Sequence, residues 1–274
     1  MKLNTGWIGY DVDGQKVTGY FARPTAARGP LPGVVLIQEV WGVDPHIQDV
    51  ADRLATAGYA VLAPELFSYG GKPAPLSPER IEDAKQFLDT LPVPAWFDPA
   101  QRAPAIAALP DGRRQAMDET LGLLLNRNRP WDPYFATVRG AKAWLQAEHA
   151  QGQKVGAVGF CLGGALSLQF ACKDPELAAA VVFYGFAPPH ELLDGLRAPV
   201  LGLYAEAAKD PNIGNAVPAL AEAMKQKGKR FEHRFYSGAN HAFFNDSRAA
   251  SYHVGAARDA WARTLGFFAA HLAG

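Results

Sequence analysis

The stretch Gly159-Phe160-Cys161-Leu162-Gly163-Gly164 constrains this chain more than any other. An apolar run, Val155-Gly156-Ala157-Val158, leads into it, and a helix-like stretch, Ala165 to Cys172, follows. Strand, Gly-x-Cys-x-Gly, helix is the order of a sharp turn that lifts one side chain above the ends of a parallel sheet. The glycines relieve crowding at the turn and let strand and helix approach closely. Here the lifted side chain is a thiol. The helix that starts behind it presents backbone N–H groups, favours thiolate over thiol, and points the Leu162 N–H at a developing oxyanion. Free cysteines are most often inert core residues. The glycine frame reads Cys161 as a nucleophile, whereas Cys172 has no such frame and reads as core.

The rest of the chain agrees with a turn of that kind. Trp7 to Val12 and Lys16 to Ala22 flank Asp13-Gly14 and predict a hairpin. Gly33 to Gln38, Tyr59 to Ala63, Val155 to Val158, Ala179 to Tyr184, Val200 to Tyr204 and Phe231 to Tyr236 read as strands, most of them continuous apolar runs. Helical spacing falls between them at Ile47 to Ala57, Tyr134 to Glu148, Ala165 to Cys172, Val217 to Lys227 and Ala256 to Leu272. Alternation of this kind predicts an α/β fold, a mostly parallel sheet covered on both faces. The segment from about 67 to 132 breaks the rhythm: proline-rich, with no clear strand, it holds helical pieces near Pro78 to Leu91, Pro99 to Ala108 and Arg113 to Asn126. It reads as an insertion at one edge of the sheet within a single domain spanning residues 1–274. Its aromatic residues, Trp96, Phe97, Trp131, Tyr134 and Phe135, leave two readings open: an apolar lid over the cysteine, or helical decoration of the sheet.

Composition narrows the class by exclusion. Lys+Arg and Asp+Glu are equal at 27 each, so no overall field draws nucleic acid or an anionic membrane. The first residues lack the apolar run of a secretory signal, and no stretch is long enough to span a bilayer. Two cysteines are too few for a disulfide framework, and no cluster has metal-ligand spacing. The expectation is a soluble, cytoplasmic protein without metal or cofactor, a monomer or small homo-oligomer.

A thiol nucleophile needs a base and the base needs an acid, and sheets of this kind bring them in the order nucleophile, acid, histidine. Of seven histidines, His241 follows the last strand and takes the base position; His149 and His271 read as exposed helix ends. The acid should follow Val200 to Tyr204, where Glu206 and Asp210 compete; Asp210, in an Asp-Pro-Asn loop, is favoured. Glu39 follows the strand Gly33 to Gln38, at the sheet end where ligands gather. It is either solvated or a partner for the thiol proton.

With these pieces together, the chain resembles the dienelactone hydrolase (carboxymethylenebutenolidase) family of α/β-hydrolases. The matching stretches are Asp13-Gly14 to Pro24, Gln38 to Val43, Gly58 to Leu66, Gly159 to Gly164, Tyr204 to Pro211 and His241 to Asp246. The resemblance implies Cys161 as nucleophile, His241 as base, Asp210 as its acid and Glu39 as the carboxylate that takes the thiol proton. Backbone N–H groups of Leu162 and Val40 would form the oxyanion hole. The implied substrate is a small lactone or ester, opened through an acyl-thioester. Trp41, Phe160, Asn245 and Arg248 would line its pocket. Family members that act on charged lactones hold the carboxylate with arginines, one shortly after the histidine, where this chain has Asn245 and then Arg248. A second would come from the insertion, with Arg80, Arg102, Arg113 and Arg114 all candidates. The rival reading is a non-catalytic ligand-binding or redox-sensing protein that uses Cys161.

Overall fold

The protein is described here by a computed structural model covering residues 1–92, 95–96, 98–126 and 128–272. Its eight strands are β1 (Leu3–Val12), β2 (Gln15–Pro24), β3 (Gly33–Ile37), β4 (Ala60–Pro64), β5 (Val155–Phe160), β6 (Ala180–Phe183), β7 (Val200–Ala205) and β8 (Phe231–Tyr236). They form one sheet in the order β1-β2-β4-β3-β5-β6-β7-β8. Only the β1–β2 and β2–β4 pairs are antiparallel; the other five are parallel. The hairpin closes with Val12 opposite Gln15, and both loop residues, Asp13 (φ 49°) and Gly14 (φ 77°), take the left-handed conformation that a two-residue turn requires. An α/β-hydrolase-type sheet, mostly parallel, is the architecture.

The apolar strand runs are explained by burial on both faces. Along β3, Val35 and Ile37 join one core cluster while Val34 and Leu36 join the other. The first cluster lies beneath α5 (Trp131–Glu148) and α6 (Leu162–Lys173), through residues such as Val138, Leu145 and Leu166. The second lies beneath α1 (Pro45–Thr56) and α9 (Val254–Leu272), through Ile47, Leu54 and Phe268. Asp44 caps α1 by accepting the Ile47 N–H at 3.1 Å. His149 departs from the reading of an exposed helix end. It stacks on Phe21 with ring centres 4.3 Å apart and accepts a hydrogen bond from Arg23, and burial together with the Arg23 charge depresses its basicity.

The insertion is helical, comprising α2 (Pro78–Asp89), α3 (Pro99–Ala107) and α4 (Asp111–Leu124), with Ser77 and Asp98 capping the first two. Its position differs from the expected sheet edge. The segment leaves β4, an interior strand, so it starts from the carboxyl end of the sheet rather than beside it. Lys85 of α2 pairs with Asp44 at 2.9 Å, and Asp89 pairs with Arg248, which fastens the insertion to loops at that end. Ile81, Phe87, Leu88, Trp96, Ile106 and Met117 share the buried cluster of Val35 and Ile37. Phe97, one of the aromatics read from sequence, lies outside the described residues. No described helix is long and apolar enough to cross a membrane.

Candidate active site

Cys161 stands between β5 and α6 with φ 54° and ψ −110°, a backbone conformation that costs a non-glycine residue about 1–3 kcal/mol. Packing around the turn explains its glycines. A Cβ on Gly159 would lie 1.9 Å from the Gly163 carbonyl oxygen, and one on Gly163 would lie 2.2 Å from that of Ile37. The helix start is thus pressed onto the ends of β5 and β3. The Cys161 N–H donates to the Phe183 carbonyl at 3.0 Å, tying the turn to β6 as well. Leu162 is the first residue of α6, where helix N–H groups have no partner within the helix.

Three side chains from three loops meet here. His241 Nε2 is 3.2 Å from Cys161 Sγ, and His241 Nδ1 is 2.8 Å from Asp210 Oδ2. Asp210 precedes the short helix α7 (Pro211–Gly214) after β7; α8 (Val217–Gln226) follows. Burial disfavours a charged imidazole, but the facing Cys161 sulfur and the Asp210 carboxylate outweigh it and hold His241 well above its ordinary value. Glu206, the competing acid, is used elsewhere: its carboxylate accepts the Gly238 N–H at 2.5 Å and so anchors the loop that carries His241. Ala242, beside the histidine, is a further residue with left-handed backbone (φ 62°).

Glu39 is buried at 2% exposure rather than solvated. Ile37 pairs with Gly159, so Glu39 and Cys161, each two residues further on, leave neighbouring strands at the same end of the sheet. Tyr184, fully buried just past β6 with φ 38°, reports the same proximity. Burial first, then the charges of Glu39 and Cys161, raise its hydroxyl well above the usual tyrosine range. The Tyr184 ring lies 5.1 Å from that of His241. Sequence reading treated Tyr184 only as the end of a strand. The available signal was its place before Gly185 at the carboxyl end of β6, the same end as the other site residues.

The expected pocket residues separate into two groups. Trp41 lies beside Val40 on the loop after β3, and its ring is 4.9 Å from the Arg248 guanidinium carbon; Trp96 of the insertion lies 4.2 Å from that carbon. Arg248 also pairs with Asp89, yet its Nε and Nη1 are buried and have no hydrogen-bond partner among the described residues. Phe160 and Asn245 depart from the pocket reading. Phe160 points into the core, stacked on Phe183 and Phe244 with centres 4.5 and 5.3 Å apart. Asn245 is fully buried, donating to Glu39 Oε2 at 2.6 Å and accepting from Ser247. The four insertion arginines are committed within that segment: Arg80 to Glu119 and Thr120, Arg102 to the Trp96 carbonyl, Arg113 to Asp83, and Arg114 to Asp111.

Comparisons with known proteins identify the family. A family model described as the dienelactone hydrolase family matches residues 17–272. A relative from Saccharolobus solfataricus that carries the name "Putative carboxymethylenebutenolidase" is 34% identical over 261 residues, 95% of this chain and 96% of the relative. One of the same name from Escherichia coli K12 is 29% identical, over 96% of this chain and 86% of its own length. Among solved structures, a "Putative Dienelactone Hydrolase" from Klebsiella pneumoniae superposes with a TM-score of 0.76 at 29% identity, covering 98% of this chain and 99% of that one. The Cys-bearing turn, the parallel sheet and the match along nearly the whole length place this chain in the dienelactone hydrolase family, whose members are ester and lactone hydrolases.

Proposed function

We propose that the protein is a cysteine-dependent hydrolase of small lactones or esters that works through an acyl-thioester on Cys161. The observation that carries this reading is the hydrogen-bonded line from Asp210 through His241 to the Cys161 sulfur, with 2.8 and 3.2 Å steps. When substrate binds, the thiol proton moves to Glu39 and the thiolate faces the His241 imidazolium. The thiolate attacks the carbonyl carbon, the S–C bond forms, and the oxyanion is held by the N–H groups of Leu162 and Val40. As the C–O bond breaks, the leaving oxygen takes the His241 proton. Neutral His241 then removes a proton from water, hydroxide attacks the thioester, and the S–C bond breaks to release the acid. The thiolate regains its proton from Glu39, and His241 is again an imidazolium. Asp210 holds the imidazole orientation and stabilises its charge throughout.

Trp41 forms one wall of the pocket. Arg248, beside Trp41, pairs with a carboxylate on the substrate in this reading, which is supported by two buried guanidinium nitrogens that have no hydrogen-bond partner among the described residues. The insertion, fastened through Lys85, Asp89 and Trp96, acts as a cover over this end of the sheet. Turnover of dienelactone, aryl esters and a phosphotriester by the wild type and by Cys161→Ala tests the reading, together with mass analysis of acid-quenched enzyme. The expected result is lost activity in the variant and an acyl adduct on the Cys161 peptide. Full activity in Cys161→Ala would overturn it, and binding without turnover by the wild type would favour a ligand-binding protein.

A further inference from the structure

The Glu39 carboxylate has two oxygens with unequal surroundings. Oε2 accepts from the Asn245 side-chain amide at 2.6 Å, whereas Oε1 is buried without a hydrogen bond of good geometry, and the equally buried Tyr184 hydroxyl faces the same carboxylate. The Asn245 amide has one orientation available. Its Oδ1 accepts from the Ser247 hydroxyl at 2.6 Å and the Ser247 N–H at 3.1 Å, so its NH2 must face Glu39. Asn245 itself is fully buried, and the loop that carries it also carries His241.

The charged groups near Glu39 are accounted for. Cys161 at the elbow, Tyr184 after β6 and His241 on its loop face the site. Asp246 turns away to His46 and Arg53, and Arg248 turns to Asp89 between two tryptophans. Glu65, at the end of β4, is paired with Lys72. No lysine or arginine is paired with Glu39 among the described residues. The neutral Asn245 amide holds it at 2.6 Å, with the Tyr184 hydroxyl beside it.

We propose that Asn245 is a positioning residue that anchors Glu39 through Oε2 and leaves Oε1 as the oxygen that exchanges a proton with Cys161. This rests on the reading of Glu39 as the acceptor of the thiol proton. In that exchange the Cys161 S–H bond breaks, its electron pair stays on sulfur, and an O–H bond forms at Oε1.

The test is the pH dependence of iodoacetamide alkylation of Cys161, read by peptide mass, in wild type, Asn245→Ala, Asn245→Asp, Glu39→Gln and Glu39→Gln/Asn245→Ala. Removing a hydrogen bond to a charged group makes the carboxylate hold its proton to higher pH. The Glu39-dependent limb of the profile should move up by about one pH unit in Asn245→Ala, a tenfold change in rate on that limb. Asn245→Asp is isosteric, sets one carboxylate against another, and should move it further. Glu39→Gln should abolish the limb, and the double variant should superimpose on it. An unmoved limb in both Asn245 variants, or the same displacement without Glu39, would overturn the proposal. Persistence of the limb in Glu39→Gln alone would remove the assigned role of Glu39 and this inference with it, a different signature from failure of Asn245 alone.

Discussion

The Arg248 guanidinium carbon lies 4.2 Å from the centre of the Trp96 ring, so the loop carrying the histidine is stacked on the insertion. Trp41 flanks the same guanidinium at 4.9 Å, and Asp89 receives one of its N–H groups. One arginine thereby joins three segments that are distant in sequence: the end of β3, the insertion and the loop after β8.

Replacing Arg248 by Met should show two effects. Loss of the paired, stacked guanidinium should cost about 1–2 kcal/mol and lower the Tm by a few degrees. Loss of a charge-assisted partner should raise KM for a carboxylated lactone about 10–100-fold while changing KM for a neutral aryl ester far less. Equal KM effects on both substrates would refute a carboxylate-binding role.

Asp210 and Glu206 should separate cleanly. Asp210→Asn leaves the His241 ring without the carboxylate that orients it, and kcat should fall by about 10²–10⁴. Glu206→Gln weakens the anchor at Gly238, so it should act mainly on stability. Steady-state kinetics beside thermal unfolding of the two variants decide the assignment.

The charge on His241 fixes a pH window. Its folded value is raised, so the stabilisation is complete below the unfolded imidazole value near about 6.5 and is lost as pH rises through the folded value. Urea unfolding should show a larger difference between wild type and His241→Gln in mild acid than in strong alkali. Nuclear magnetic resonance should find the His241 ring still protonated above the range of a free histidine.

The two cysteines should differ in reactivity. Burial pushes the Cys172 thiol up to about 11, so at about pH 8 iodoacetamide should label the Cys161 peptide and leave Cys172 intact. Peptide mapping after limited alkylation reads this directly.

Gly159→Ala should unfold the elbow. The added methyl would sit 1.9 Å from a backbone oxygen that cannot move without shifting α6, and a loss of more than about 3 kcal/mol is expected. Urea unfolding or loss of soluble expression would register it.

The interior strand runs were legible because a parallel sheet covered on both faces leaves few polar positions there, and the apolar stretch Gly33 to Ile37 is β3 itself. The Asp13-Gly14 hairpin and the glycine frame of Cys161 were legible because each meets a local backbone demand. Asp210 was only half legible: Glu206 has the same chemistry four residues away, and the choice depends on which carboxylate the fold turns toward His241. Asn245 was misread as a pocket residue, since nothing in its neighbours shows that its amide is spent on Glu39 and Ser247. The insertion's place was misread for a related reason. Its helices are local, but strand order, a long-range property, puts β4 inside the sheet.

The sequence by itself determined the alternation of strands and helices, the strained turn at Cys161 and the place of His241 just after the last strand, because each depends on residues adjacent in the chain. Tertiary structure alone decided which acid faces the histidine, which amide holds Glu39, and which arginine bridges the insertion to the site. Those are contacts between loops brought together at the carboxyl ends of the strands, separated by up to 206 positions in the chain, where only the register and order of the strands set the distances.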